Sequence, residues 1–299
     1  MPTRWFKTAG VLFSLLFLGV LAVDVLPVRL VQAQDGFSAQ EIQRVTQTAS
    51  DSAETSTEDV EAKLAELTDT YFTRVEKYRD AERRYGIARE TYYQNNTLAA
   101  QDEAIRRAQE LLVVRSEVLD AYFAYLYQDL NRTLGVELED KVIMLNQIER
   151  TRSQLADDAK DAAKILNRAQ VNDTFVALNA QQKDLLATAY ETLALIKIGQ
   201  LQNAIDQATI SREMVSTWVE QANITEASRV KKQRGLEEID HLIQSAKNNL
   251  SEVSAKWRQR ANNDRYSEST YHSFQTDAEY TYLQLRQAHA FFEEIVRAE

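Results

Sequence analysis

The residues able to do chemistry are few in kind. Histidine occurs three times, at His241, His272 and His289, and cysteine is absent. A di-metal bundle needs Glu-x-x-His on each of two helices and further glutamates from two others. Glu238 and His241 make one such pair, whereas His272 and His289 have no glutamate three residues earlier. The apolar stripe through Ile239 and Ile243 leaves Glu238 near its edge, so the pair reads as a solvated face and no metal is expected. The sequence has no G-x-S-x-G, no glycine-rich phosphate loop and no H-E-x-x-H. Carboxylates are plentiful but spread along helical patterns at outward positions. The expectation is a protein that is not an enzyme and that holds no cofactor.

Tyrosine supplies the other chemistry. Tyr71, Tyr78, Tyr85 and Tyr92 recur seven apart, with Leu64 on the same row and Leu67, Arg74, Ala81 and Ala88 offset by three. A row of rings could be a platform for a glycan, a peptide or an apolar ligand. Because it continues a leucine row and alternates with alanine, it reads as a packing seam with hydroxyls at a wet rim. Further aromatics crowd "DAYFAYLYQDL" (Tyr122, Tyr125, Tyr127) and the last predicted helix (Tyr271, Phe274, Tyr280, Tyr282, Phe291). These cover more than one helix face, and aromatics are enriched at interfaces, so they are the candidate contacts to a protein partner or to a second copy. The basic stretch "RVKKQRG" at 229–235 is a candidate for acidic headgroups or cell-wall polymer, and reads more simply as a solvated face. Asn-x-Ser/Thr triplets begin at Asn95, Asn131, Asn172, Asn223 and Asn249; helix capping at turns accounts for several of them.

The elements that position these residues are helices. Among 299 residues there are only 7 glycines and 2 prolines, too few for a turn-rich sheet fold. Helix breaks fall at "QNNT" (94–97), at Gly135, at "VNDT" (171–174), at "ANIT" (222–225) and near "ANNDRYSES" (261–269). Gly135 suits a helix-ending position, and at the other breaks Asn suits a left-handed terminator and Thr or Ser an N-cap. Six helices follow, at about 57–94, 97–134, 137–170, 174–222, 225–261 and 266–297, each on the order of 50–60 Å long. A break inside the fourth is expected near Gly199. Apolar residues recur every seven positions: Leu98, Ile105, Leu112, Leu119, Leu126; Ile148, Leu155, Ala162, Ala169; Leu236, Ile243, Leu250, Trp257; Tyr271, Ala278, Leu285, Phe292. Such heptads with short connections predict an all-α, elongated antiparallel helical bundle with coiled-coil character. Two three-helix units, 57–171 and 172–299, are expected after a segment 34–56 made of a short helix and a polar linker.

The N-terminus has its own pattern. Arg4 and Lys7 precede an uncharged apolar run from Ala9 to Val23, and Val31-Gln32-Ala33 ends in small-x-small form. This is the layout of a signal peptide, residues 1–33, cleaved between Ala33 and Gln34. The alternative is an uncleaved anchor through residues 5–31, short for a span of about 20 apolar residues and the one route to a membrane. Cleavage would remove three cations and Asp24, taking the formal charge from −10 to −12. So acidic a chain is a poor general ligand for nucleic acid.

"ALIKIGQLQNAIDQA" at 194–208 resembles half of a tetratricopeptide repeat at Gly199, Ala204 and Ile205. The resemblance covers about 15 residues and does not recur at the period of about 34, so it carries no function across. The reading that follows is an exported, periplasmic or extracellular, non-enzymatic scaffold or protein-interaction protein. A ligand-binding bundle, similar in general shape to bacterial extracytoplasmic four-helix sensor modules, is the alternative, and a metal-binding bundle enzyme the third.

Overall fold

The computed structural model describes residues 39–263 and 266–297. The signal segment 1–33, its cleavage site at Ala33 and Gln34, and the anchor alternative lie outside the described residues. Among those described there are six helices and no strand: α1 Ala39–Asn95, α2 Leu98–Arg132, α3 Leu138–Ala162, α4 Arg168–Gln221, α5 Glu226–Asn263 and α6 Glu268–Arg297. The protein is an all-α helical bundle. Contacts divide the chain after Glu54, and Thr55–Glu299 forms the larger compact unit. The first helix starts at Ala39, ahead of the expected start near 57. The boundary expected at 171/172 falls within the first turns of α4.

Several helix ends follow local chemistry. Asn96 sits at φ 47° and stops α1; the Thr97 hydroxyl accepts the Ala100 N–H at 3.3 Å and starts α2. Gly135, at φ 77°, turns the chain from α2 to α3. Thr225 accepts the Ser228 N–H at 3.2 Å, and Ser267 accepts that of Thr270 at 3.3 Å. The break between α3 and α4 differs from expectation. It lies at 163–167, because Asn167 accepts the Gln170 N–H at 3.0 Å while the Gln170 side chain accepts the Leu166 N–H at 2.7 Å. Such reciprocal capping satisfies two orphan donors. Val171 is meanwhile buried with Ala162, Ile165 and Leu178, which draws "VNDT" into α4.

Helix α4 does not break at Gly199. The glycine instead allows close approach: a Cβ there would lie 2.3 Å from Val136 Cγ2 and 2.8 Å from the Leu134 carbonyl oxygen. Gly135 answers from the other side, where a Cβ would come within 2.5 Å of the Gly199 carbonyl oxygen. The α2–α3 turn is thus seated directly on the α4 backbone.

Cross-helix bonds fix directions. α1 runs against α2, with Arg74 donating to the Glu117 carbonyl at 2.7 Å and Arg84 paired with Glu110 at 3.0 Å. Arg152 of α3 meets Asp120 of α2 at 2.8 Å. α4 runs against α5, through Arg212–Asp240 at 2.6 Å and the Trp257 indole N–H on the Glu191 carbonyl at 3.2 Å. α5 runs against α6, with Gln284 donating to Ser245 at 2.6 Å and Lys256 paired with Asp277 at 3.0 Å. α2, α3, α5 and α6 all touch α4, which makes it the shared core helix.

The heptad rows form the core with local exceptions. The α5 residues Leu236, Ile239, Ile243, Ala246, Leu250, Val253 and Trp257 are all buried. In α2, Leu112, Leu119 and Leu126 are buried while Leu98 is exposed at the helix start. In α3 the row ends at Ala162 because the helix does, and Ala169 is exposed. In α6 the deeper row is Phe274, Thr281, Ala288 and Ile295; Leu285 and Phe292 are half-buried.

Candidate interaction surface

Glu238 and His241 are both exposed on α5. Among the described residues, no three His, Asp or Glu side chains converge on a common point. Many carboxylates are engaged in exposed pairs one helical turn apart, such as Lys63–Glu66, Arg79–Glu76 and Lys160–Asp157.

The tyrosine row faces the other helices and is deepest at Tyr71. Tyr71 is buried; Tyr78, Tyr85 and Tyr92 are half-buried, and Ala81 and Ala88 of the offset row are buried. Tyr71 tilts against Tyr122 with ring centroids 5.6 Å apart, and Tyr85 stacks on Phe175 of α4 at 6.0 Å. Burial holds the phenols of Tyr71 and Tyr78 protonated, with pKa pushed up to about 12, and raises that of Tyr85.

The structure scatters the aromatic interaction candidates. Tyr122, Tyr271 and Phe274 are buried, so they do not present a surface. Tyr271 stacks on Tyr190 of α4 at 5.1 Å; burial pushes its pKa to about 12 and raises that of Tyr122 as well. Helix α6 lies on α4 where the sequence alone leaves those rings without a neighbour. Tyr125, Tyr127, Tyr282 and Phe291 are half-buried, and Tyr280 is exposed, at 56%. Below the buried rings, Glu191 is a buried carboxyl. Gln147 donates to it at 3.5 Å and to Thr188 at 3.0 Å. Burial raises the Glu191 pKa, and hydrogen bonds from the Tyr266 backbone and Gln147 oppose the shift.

The basic stretch at the start of α5 is partly engaged within the bundle. Lys232 is buried, donates to the Ile295 carbonyl at 2.5 Å and lies over the Trp218 ring, 4.9 Å from its centroid. It thereby ties α4, α5 and the end of α6 together. An open depression of about 640 Å³ beside it is lined by Lys231, Arg234, Glu238, Phe291 and Glu294. Its charges are of both signs, and Lys231 approaches Glu294 at 3.8 Å.

The feature that sequence reasoning missed is on α4. Ile210, Met214 and Trp218 follow one another at intervals of four and are 50%, 69% and 38% exposed. At about 100° per residue, this row lies opposite the fully buried Ile205. Around it the same face carries only Asn203, Gln207, Ser211, Thr217 and Gln221. Asp206, Glu213 and Glu220 fall together on one flank, and Arg212 turns to Asp240 of α5. The result is an outward sector about five turns long without a formal charge, on a chain that is 27% charged. The signal was present as a four-residue recurrence, but it resembled the core rows of the neighbouring helices. Comparison with protein-family models, curated proteins and solved structures yields no match for this chain.

Proposed function

We propose that this chain is an exported, non-enzymatic helical scaffold that acts by offering a helix face to a protein partner. The observation that carries the reading is the exposed Ile210–Met214–Trp218 row within an uncharged sector of α4. Interfaces are depleted of charge at their centres and enriched in Trp, Met and aromatic residues. A helical row at intervals of four is the kind of surface that another helix packs against. Export rests on the charged start, apolar run and small-x-small motif of residues 1–33. The non-enzymatic character rests on the spread of carboxylates over outward helix faces and the scarcity of other catalytic side chains. The alternative of a ligand-binding bundle would use the open depression between α5 and α6.

The test is a photo-crosslinking amino acid placed at position 214 in the native host, with position 176 on the same helix as the control. Val176 is 61% exposed against 69% for Met214, so both probes meet solvent. A discrete product from position 214 that is absent from 176 is expected. Equal products from both positions, or none from 214, would remove this face from the reading.

A further inference from the structure

We infer that the junction of α1 with the start of α4 binds a phosphate or sulfate group, held by Arg89 and Arg168. This site is separate from the open α4 face and goes beyond the scaffold reading. It is built around the stacked rings of Tyr85 and Phe175, whose centroids are 6.0 Å apart. α1 runs against α2, α2 against α3 and α3 against α4, so α1 and α4 are antiparallel. Arg89 follows Tyr85 by one turn of α1, and Arg168 precedes Phe175 by two turns on one face of α4. Both therefore lie at the same end of the stack. The Arg89 guanidinium lies over the Tyr85 ring, 5.8 Å from its centroid. Burial raises the Tyr85 pKa, and Arg89 and Arg168 oppose the rise while Tyr93 adds to it. Two cations from two helices thus act on one phenol oxygen.

Neither arginine forms an ion pair among the described residues. On α2, by contrast, Arg107 is paired with both Glu103 and Glu110. The acids close in sequence are occupied or turned away. Asp161 holds Lys164 at 2.8 Å, and Glu90 accepts from the Gln94 amide at 3.2 Å. Asp173 is two residues from Phe175, about 200° around α4. The Arg89 Nε is covered and meets no acceptor among the described residues. Covering part of a guanidinium costs free energy unless other contacts compensate. The Tyr85 ring compensates in part, which leaves the outer edge of Arg89 and the whole fork of Arg168. Guanidinium forks donate in pairs to phosphate, sulfate or carboxylate oxygens. A carboxylate has two oxygens and satisfies one fork; a tetrahedral oxyanion has enough for both. The Tyr85 hydroxyl beside them adds an O–H donor.

The test is isothermal titration of the full chain with inorganic phosphate, at an ionic strength held constant with chloride. Saturable binding at one site is expected. Arg168→Gln changes an exposed side chain; it is expected to weaken binding at least about tenfold and to leave the melting temperature without phosphate unchanged. Arg286→Gln, at an exposed position on α6, is expected to leave binding unchanged. Glucose 6-phosphate separates the sources. Tighter binding than inorganic phosphate assigns the site to an esterified group, equal binding assigns it to the free anion, and both uphold the site. No saturable heat from either probe, equal losses in Arg168→Gln and Arg286→Gln, or acetate binding as tightly as phosphate would each overturn it.

Discussion

Two stretches of α4 both carry recurring large apolar residues and have opposite surroundings. From Ala187 to Leu201 nearly every side chain is buried, polar Thr188, Glu191 and Thr192 included. From Asn203 to Gln221 the helix keeps a buried side, with Ile205 and Val219, and opens the opposite one, where Ile210, Met214 and Trp218 meet solvent. The first stretch lies under the α2–α3 turn and beside α5 and α6; the second is held by α5, through Arg212–Asp240 and Lys232–Trp218. A helix stretch that is apolar nearly all round is enclosed by its neighbours, whereas an amphipathic stretch keeps one side in solvent, and α4 holds both conditions along one axis.

Substitutions at matched positions break or sharpen this contrast. Leu195→Ala, in the enclosed stretch, is expected to destabilise by about 2–5 kcal/mol, read as a large fall in thermal midpoint. Gly199→Val should cost about 1–3 kcal/mol by overpacking, because its side chain would enter the space of Val136 and the Leu134 carbonyl; denaturant midpoints report it. Tyr85→Ala, half-buried against Phe175, should cost roughly 1–2 kcal/mol, below the range for full aromatic truncation. An unchanged melting temperature would revive the idea of a ligand platform on α1.

Glu191 tests the enclosure electrostatically. Its carboxyl is buried and its pKa raised in the folded state, so the folded chain holds a proton that the unfolded chain has released. Stability contributed by this group is present below the ordinary carboxylate pKa and is lost as pH rises through the raised value. Glu191→Gln should flatten the fall in stability across that window relative to the parent chain, as pH-dependent denaturant titrations would show. Equal slopes would mean that the site is better solvated than its burial implies. The smallest effect belongs to the open stretch: Met214→Glu should alter stability by no more than about 0.5 kcal/mol. A loss comparable to that of Leu195→Ala would mean that the face is already covered within one chain.

Much of the architecture was readable from local chemistry. Asn96 with Thr97, Gly135 and Thr225 each mark a helix end where the chain turns, because orphan backbone groups at helix termini select the same few residue types. The α5 heptads matched the buried rows for a similar reason: one stripe faces one core. The start of α4 was not readable in this way. Asn167 caps the helix ahead of the expected Thr174, because Gln170 completes its cap and Val171 belongs to the core, the latter a tertiary demand. Gly199 looked like a breaker, and its role is to admit another backbone.

The aromatic residues divide sequence from tertiary structure most clearly. Their spacing states which rings share a helix face, and it does so equally for Tyr271 and Tyr280. It does not state which face receives a neighbour. Tyr271 is buried because α6 lies along α4 at Tyr190, while Tyr280 remains in solvent. The same holds for the row at Ile210, Met214 and Trp218, whose four-residue recurrence is as regular as that of a core. The chain by itself set the helices, their ends and the periodic rows, through hydrogen bonding and side-chain geometry that act within a few residues. Burial is a property of the surroundings, and only the packing of α5 and α6 on one side of α4 decided that its other side would be left open.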